Sequence, residues 1–408
     1  MIGSILQKII RQLLLLFVVA LVLLAAYVSA GRQFMPAISR YAEFLENQIF
    51  EATGIGVSVN SLTGSFSGFN PVIQVNGLSL AVEVDPLEGE ESNNALDFER
   101  ATIVVDIPRS IWQRQWVLQE FVIDSLELDI EQSETGAWQL SGLTPTGETP
   151  LDPNDLFQTF HRFSRLDLRN VEINVHTRSG EQFSFTNGLA TIQNSNNDFY
   201  LHIDTNLEGN PQQLAASLEV SGSQLDAISG ELHLNIPAAN YSGLFIGQDM
   251  GLAGISRING GGEFWVSLTG GEIAAANARW EIDDVSLSLN DGPALDLQGL
   301  AGRATLSRGL ALDRWEVAVA GMDVEYGDQF WNDFNAFLYF EPQQMLRARA
   351  DKVDIGLLAR IALDSGLLDE AAREQLAAYN PDGELLNLNF SMPLQEASAE
   401  PLSLSTNL

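Results

Sequence analysis

From residue 56 almost to the carboxyl terminus, apolar side chains recur at every second position in short runs punctuated by Gly, Asn, Asp and Ser, and this period of two is what most restricts the fold. A strand sends successive side chains to opposite faces, so each run reads as a strand with one apolar and one polar face. The runs are Val57–Val59, Ile73–Val75, Ala101–Ile107, Leu126–Ile130, Val171–His176, Phe199–Ile203, Leu214–Val220, Leu232–Ile236, Phe264–Leu268, Val285–Leu289, Leu295–Leu297, Trp315–Val319, Phe337–Tyr339 and Leu385–Phe390. Asn76-Gly77, Asn187-Gly188 and Asn259-Gly260 have the composition of tight antiparallel turns. Helical spacing is confined to Pro36–Thr53, Ser110–Gln115, Pro153–Phe163, Ala238–Ile246 and Ile355–Tyr379. Asp85–Asn94 and Ser133–Asn154 read as acidic loops. The apolar face of such a sheet must be buried, and no long helices alternate with the strands to bury it. A sandwich, a closed barrel, or a long curved sheet whose inner face receives an apolar ligand all satisfy that demand.

Before the strands, Leu13–Ala30 is an uncharged run of 18 residues preceded by Lys8 and Arg11 and followed by Arg32. Its length suits a membrane-spanning helix, whereas Val28-Ser29-Ala30 would suit a cleaved secretory signal. In both readings the cations hold the short amino-terminal side in the cytoplasm and send the rest across the membrane. All 54 acidic residues lie on that exported side.

A net charge of −33 and a pI near 4.2 oppose binding to phosphate backbones, so no nucleic-acid partner is expected. Lys8 and Lys352 are the only lysines, which leaves no polybasic lipid-binding surface. The absence of Cys removes disulfides, thiolate metal sites and Cys nucleophiles together. Hydrophobic residues at 45% are enough for a sizeable core.

Chemistry-bearing patterns are sparse. His161, His176, His202 and His233 are too far apart for a zinc-peptidase motif. Gly64-Ser65-Phe66-Ser67-Gly68 places its serines wrongly for a nucleophile elbow, and Gly260-Gly261-Gly262 lacks dinucleotide-loop spacing. The acids of Glu83–Glu91 and Asp152–Asp155 offer oxygen ligands but no calcium-loop pattern, and read as solvated loops. Arg100, Arg109, Arg114, Arg162, Arg165 and Arg169 suit either headgroup phosphates or the neighbouring acids Glu99, Asp106, Asp167 and Glu172. No catalytic residue, metal ligand or cofactor site is assigned, and the chain is not read as an enzyme.

Phe50–Val59 resembles the opening of the AsmA-like superfamily, in which a helix after the membrane anchor passes through a Thr-Gly turn into the first strand. Ser67–Ile73, Gly77–Leu80, Val104–Trp112, Trp116–Leu128 and Gly136–Leu140 are similar in order to the amino-terminal region of the YhdP branch, and the likeness is clear over residues 1 to 145. The resemblance implies a bridge-like lipid transfer protein of a two-membrane bacterium, mostly β. It implies a transmembrane helix, then a long, curved antiparallel sheet forming a groove, with a few short helices. Residues 1–31 are then the cytoplasmic tip and anchor, 32–145 the AsmA-like helix and β-domain, and 146–408 a continuing groove segment cut short at its carboxyl end. Its partners are phospholipids, the inner membrane, and outer-membrane or periplasmic proteins, and the bulk of the chain is periplasmic.

The expected groove residues are Ile103, Val105, Leu126, Leu128, Ile130, Ile173, Val175, Leu201, Ile203, Leu218, Leu234, Phe264, Val266 and Leu287. The contrasting expectation is an anchored scaffold or assembly factor for outer-membrane proteins, in which the same positions fill a closed sandwich core.

Overall fold

The computed structural model describes residues 18–19, 21–43, 46, 56–81, 95–114, 117–133, 138–140, 157, 164–195, 197–246, 253–289, 292–309, 314–341, 345–394 and 403–407. Eighteen strands are described, and all belong to one, mostly antiparallel sheet. By contact the chain divides into two units. Met1–Glu127, Gly142–Pro150 and Thr159–Val171 form the first, and Leu128–Ser141, Leu151–Gln158 and Glu172–Leu408 the second.

In the first unit, β1 (Gly56–Ser67) and β2 (Asn70–Ala81) form a hairpin that closes with Ser67 opposite Asn70. Gly68 opens that two-residue turn at φ 63°, a left-handed value matching the twist of the flanking strands. β3 (Ala95–Val105) pairs with β2, and β4 (Leu118–Gln132) pairs with β3. Leu62, Val75 and Ala101 lie side by side across three strands and are 2%, 9% and 1% exposed. Ile38 and Ala42 pack over them from the helical segment after Pro36, which begins as a 3-10 turn, Met35–Tyr41. Glu46 pins that segment down by accepting a hydrogen bond from the Val59 N–H at 2.8 Å.

Helix α1, residues 21–34, enters from the far side of the hairpin turn. Met35 lies against Gly64, Gly31 against the Phe66 ring, and the Tyr27 hydroxyl donates to the Phe69 carbonyl at 3.3 Å. Contacts therefore climb β1 towards its turn as the chain is read backwards from Met35 through Gly31 to Tyr27. Among the described residues no helix is long and apolar enough to cross a membrane, and Leu13–Phe17 and Ala20 of the expected span lie outside them.

In the second unit each strand from β7 to β18 pairs with the next in chain order. These are β7 (Gln182–Ser195), β8 (Asp198–Leu207), β9 (Gln213–Ser221), β10 (Ser229–Asn240), β11 (Ala253–Thr269) and β12 (Glu272–Leu289), then β13 (Ala294–Arg308), β14 (Trp315–Tyr326), β15 (Gln329–Glu341), β16 (Met345–Asp354), β17 (Glu384–Pro393) and β18 (Ser403–Asn407). β5 (Trp138–Leu140) pairs with the end of β4, a strand inside what the sequence reads as a loop, and β6 (Arg165–His176) also pairs with β4. Among the described residues three α-helices interrupt this meander at one end of its strands, and a single 3-10 turn, Leu225–Ala227, sits at the other, between β9 and β10. The helices are α3 (Ser242–Phe245), after β10, and α4 (Ile355–Asp364) and α5 (Glu370–Tyr379), after β16. Two buried clusters lie at the end with these helices, while Phe199, Val220 and Ile228 are buried at the other, where helical Phe157 packs on Phe199. Val175, Phe183, Leu207 and Tyr241 pack with Leu244 and Phe245, while Val324, Trp331 and Val353 surround Leu357, which is 0% exposed.

Several local readings are corrected by the backbone. The Asn-Gly pairs are not connections: Asn76-Gly77, Asn187-Gly188 and Asn259-Gly260 lie inside β2, β7 and β11. Asn187 (φ 54°) and Gly260 mark register shifts, because a residue that tolerates left-handed or unusual φ suits a bulge as well as a turn. The helix expected over Ala238–Ile246 is four residues long, since β10 runs on through Asn240 after a bulge at Pro237. Ile355–Tyr379 is two helices: Gly366 at φ 71° ends the first, and Asp369 caps the second by accepting from the Ala372 N–H at 2.7 Å. Ile107–Gln113, here α2, starts three residues early because Asp106 caps it and Pro108 needs no N–H partner in the first turn. Of Pro153–Phe163, only Phe157 is described, and it is helical.

Candidate functional site

Cross-strand partners share a face, so the register defines continuous rows of side chains. One row crosses eleven strands of the second unit: Ala190, Ile203, Ala216, Leu234, Phe264, Ala278, Ala304, Val319, Ala336, Ala350 and Leu388. A second row, two residues along each strand, crosses twelve: Ile192, Leu201, Leu218, Leu232, Val266, Ala276, Leu306, Val317, Leu338, Ala348, Phe390 and Leu404. No polar residue interrupts either row. The intervening row on the other face reads Thr191, His202, Ser217, His233, Trp265, Asn277, Thr305, Ala318, Phe337, Arg349, Asn389 and Ser405. At ~4.8 Å between strands the apolar stripe is about 50 Å long within this unit, and two rows make it roughly 7 Å wide.

Its side chains are not a closed core. All of the first row is half-buried, and in the second row only Ile192 is fully buried, while Leu338 and Leu404 are exposed. Each residue is screened by its neighbours within the sheet, and among the described residues helical segments cover apolar surface near the strand ends, over Tyr241 and Leu357 at one end and, through Phe157 with its ring 5.0 Å from that of Phe199, at the other, leaving most of both rows without a described helix above them. Alanines in both rows lower the surface beside Leu234, Phe264, Leu306 and Phe390, which favours a slender apolar occupant.

Six of the fourteen expected groove residues fall in these rows: Leu201, Ile203, Leu218, Leu234, Phe264 and Val266. The others fall elsewhere. Val105 and Leu126 are 6% exposed and Val175 is 7%. Leu126 pairs with Phe98, on the face opposite Ile103, which pairs with Ile73 and Phe121. Ile130 and Ile173 pack against the cluster around Tyr241, and Leu128 is half-buried on β4. Leu287 lies between Ile255 and Leu295, outside both rows. The row positions that residue-by-residue reading missed are mainly alanines. Their signal is positional: Ala348 and Ala350 alternate with Arg347 and Arg349 in the middle of β16, between the bulkier Leu346 and Val353.

The polar face carries little organised chemistry. His202 contacts Asp204 at 2.8 Å, and His233 contacts Glu263 at 3.2 Å and stacks on Trp265 with centroids 5.2 Å apart. With Tyr200, Glu219 and Glu231 they line a depression of about 450 Å³ that is open to solvent. His176 approaches Gln182 at 3.1 Å, and His161 lies outside the described residues. Among the described residues no group of three His, Asp or Glu is placed to hold a metal ion, and the acids of Glu83–Glu91 and Asp152–Asp155 lie outside them. Asp167, 2% exposed, receives Arg165 at 2.9 Å and Arg169 at 3.5 Å, so these two arginines serve a buried carboxylate. The same hydrogen bond raises the Arg165 pKa, against the opposing effect of burial.

The family model for YhdP protein matches residues 1–408. The chain is 20% identical to the intermembrane phospholipid transporter YhdP of Escherichia coli (strain K12), in an alignment covering 94% of this chain and 30% of that protein. The chain thus spans less than a third of that relative's length. No solved structure matches it.

Proposed function

Since the chain belongs to the YhdP family, we propose that it carries phospholipids between two membranes, with their acyl chains lying along the uncovered apolar stripe. The observation that carries this reading is the pair of uninterrupted apolar rows across β7 to β17, mostly half-buried and, for most of their length, without a described helix above them. The role is non-enzymatic. Residues 13–30 anchor the chain in the inner membrane with its amino terminus in the cytoplasm, and the strands stand in the periplasm. Each buried methylene contributes ~0.8 kcal/mol, and a stripe of near-constant composition lets an acyl chain advance without a deep well at any one strand. The direction of net movement is then imposed from outside the stripe.

The test is photocrosslinking from single unnatural residues placed at Leu218, Ala278 and Leu306, with Thr305 on the opposite face as control, in the full chain expressed in a two-membrane bacterium. Phospholipid adducts are expected at the first three positions and not at Thr305. Protein adducts without lipid at the stripe would instead support the anchored scaffold.

A further inference from the structure

The end of the first unit from which α1 emerges carries large apolar side chains that folding does not use. The β1–β2 turn and the α2 connection from β3 to β4 lie together at that end, since β1 stops at Ser67, β2 starts at Asn70, β3 stops at Val105 and β4 starts at Leu118. The Asn70 side-chain amide donates to Gln119, joining the two. Here Trp112 is 89% exposed, Ile111 74% and Phe69 53%.

None of the three is needed to seat α2. Polar bonds do that: Asp106 accepts from the Arg109 N–H at 2.9 Å, and the Ser110 hydroxyl accepts from the Val117 N–H at 2.9 Å. Exposing an indole and an isoleucine side by side is unfavourable in water, and the unit already buries Leu62 and Ala101 almost completely. The charge around them is also unlike the rest of the chain. Between Asp106 and Glu120 there is no acid, and Arg109 and Arg114 flank the pair in a molecule of net charge −33. The Arg109 side chain is 62% exposed beside Asp106 at 3.6 Å, and Arg114 is exposed in a left-handed conformation at φ 55°.

Trp beside Ile, flanked by arginines and next to an apolar helix, has the chemistry of a segment resting in the boundary between lipid headgroups and acyl chains. Val18, Val19 and Leu21 to Leu24 of the amino-terminal helical segment are 42% to 65% exposed, and Tyr27 ties the helix to Phe69. We propose that Phe69, Ile111 and Trp112 seat this end of the sheet in the surface of the membrane that α1 enters, with Arg109 and Arg114 on anionic headgroups. The proposal rests on the anchoring reading above, and adds a second contact that fixes where the first strands stand relative to the lipid.

The chain has no cysteine, so single labels need no background substitutions. Ile111→Cys and Trp112→Cys, with Val22→Cys in α1 and Ser179→Cys on the exposed β6–β7 turn as references, would each carry a polarity-sensitive fluorophore. The full chain is then reconstituted in vesicles of phosphatidylethanolamine with a minority of phosphatidylglycerol, containing spin-labelled lipids that quench at shallow or deep positions. Labels at 111 and 112 are expected to be quenched by the shallow lipid more than the deep one, consistent with burial about 5–10 Å into the boundary. Val22 is expected to respond to the deep lipid, and Ser179 to neither. Unquenched labels at 111 and 112 with a quenched Val22 would overturn this proposal, leave the anchor standing and assign the patch to a protein. An unquenched Val22 would overturn both.

Discussion

Gly261 stands where the β10 backbone presses on β11: a Cβ there would lie 2.5 Å from the Ile236 carbonyl oxygen and 2.7 Å from the Ala238 nitrogen. Gly261→Val therefore forces β10 and β11 apart and is expected to cost about 1–3 kcal/mol in urea unfolding. Gly270 poses a different problem, a left-handed φ of 60° with no atom within 4 Å of a would-be Cβ, so Gly270→Ala should cost about 1 kcal/mol from conformation alone. Equal losses would refute the steric account of Gly261. At Tyr326, burial pushes the hydroxyl pKa up to about 12, helped by its hydrogen bond to Asp364 at 2.8 Å. Because the folded pKa lies above the ordinary 10.0, the stabilisation is complete below pH 10 and is lost as pH rises towards 12. Thermal melts across that window should show a smaller decline for Tyr326→Phe than for the parent chain.

At the scale of elements, the same kind of side chain does different work depending on what covers it. Leu357 in α4 is sealed against Val324, Trp331 and Val353, and Leu357→Ala is expected to cost about 2–5 kcal/mol in denaturant unfolding. Asp354, which caps α4 by accepting from the Leu357 N–H at 2.9 Å, should cost about 1 kcal/mol when replaced by Ala. Leu218→Asp and Ala278→Asp lie in the half-buried rows, so their carboxylates keep access to water and the fold should survive while lipid crosslinking is lost. Val105→Asp would not separate folding from lipid passage, because a residue 6% exposed cannot accept a charge without an unfolding penalty. Circular dichroism alongside crosslinking distinguishes the two classes. If the row variants unfold as Val105→Asp does, the stripe is core.

For the whole molecule, the proposed lodging of acyl chains along the stripe, with no built headgroup site among the described residues, predicts selectivity for chain length over headgroup. Shortening both acyl chains of a phospholipid by two methylenes each should weaken retention by up to about 3 kcal/mol, roughly 150-fold, since only one side of each chain need face the sheet. Exchanging phosphatidylethanolamine for phosphatidylglycerol should change it far less. Native mass spectrometry of the full chain released from detergent, loaded with lipids of defined length, measures both. A headgroup effect larger than the length effect would place recognition outside the rows.

The alternation of residues determined much of this without tertiary information: a mostly β chain, most of its strands, and the fact that one face of each strand is apolar. It also marked Leu201, Ile203, Leu218, Leu234, Phe264 and Val266, because bulky residues at every second position signal a face whatever the partner strand. What it left undetermined is which of two apolar faces a residue joins and what lies above it. Leu126 and Ile103 have equally good alternation, yet their pairing with Phe98 and with Ile73 puts them on opposite sides. Asn187-Gly188 is a bulge and not a turn because the strands on both sides of it continue to find partners. Alanine is silent in a hydrophobic pattern until register sets it between Leu232 and Leu306, as it does Ala276, across Val266. Burial is a property of neighbours distant in the chain, so only the tertiary structure decided that Leu357 is sealed by its cluster while Leu234 remains half-open.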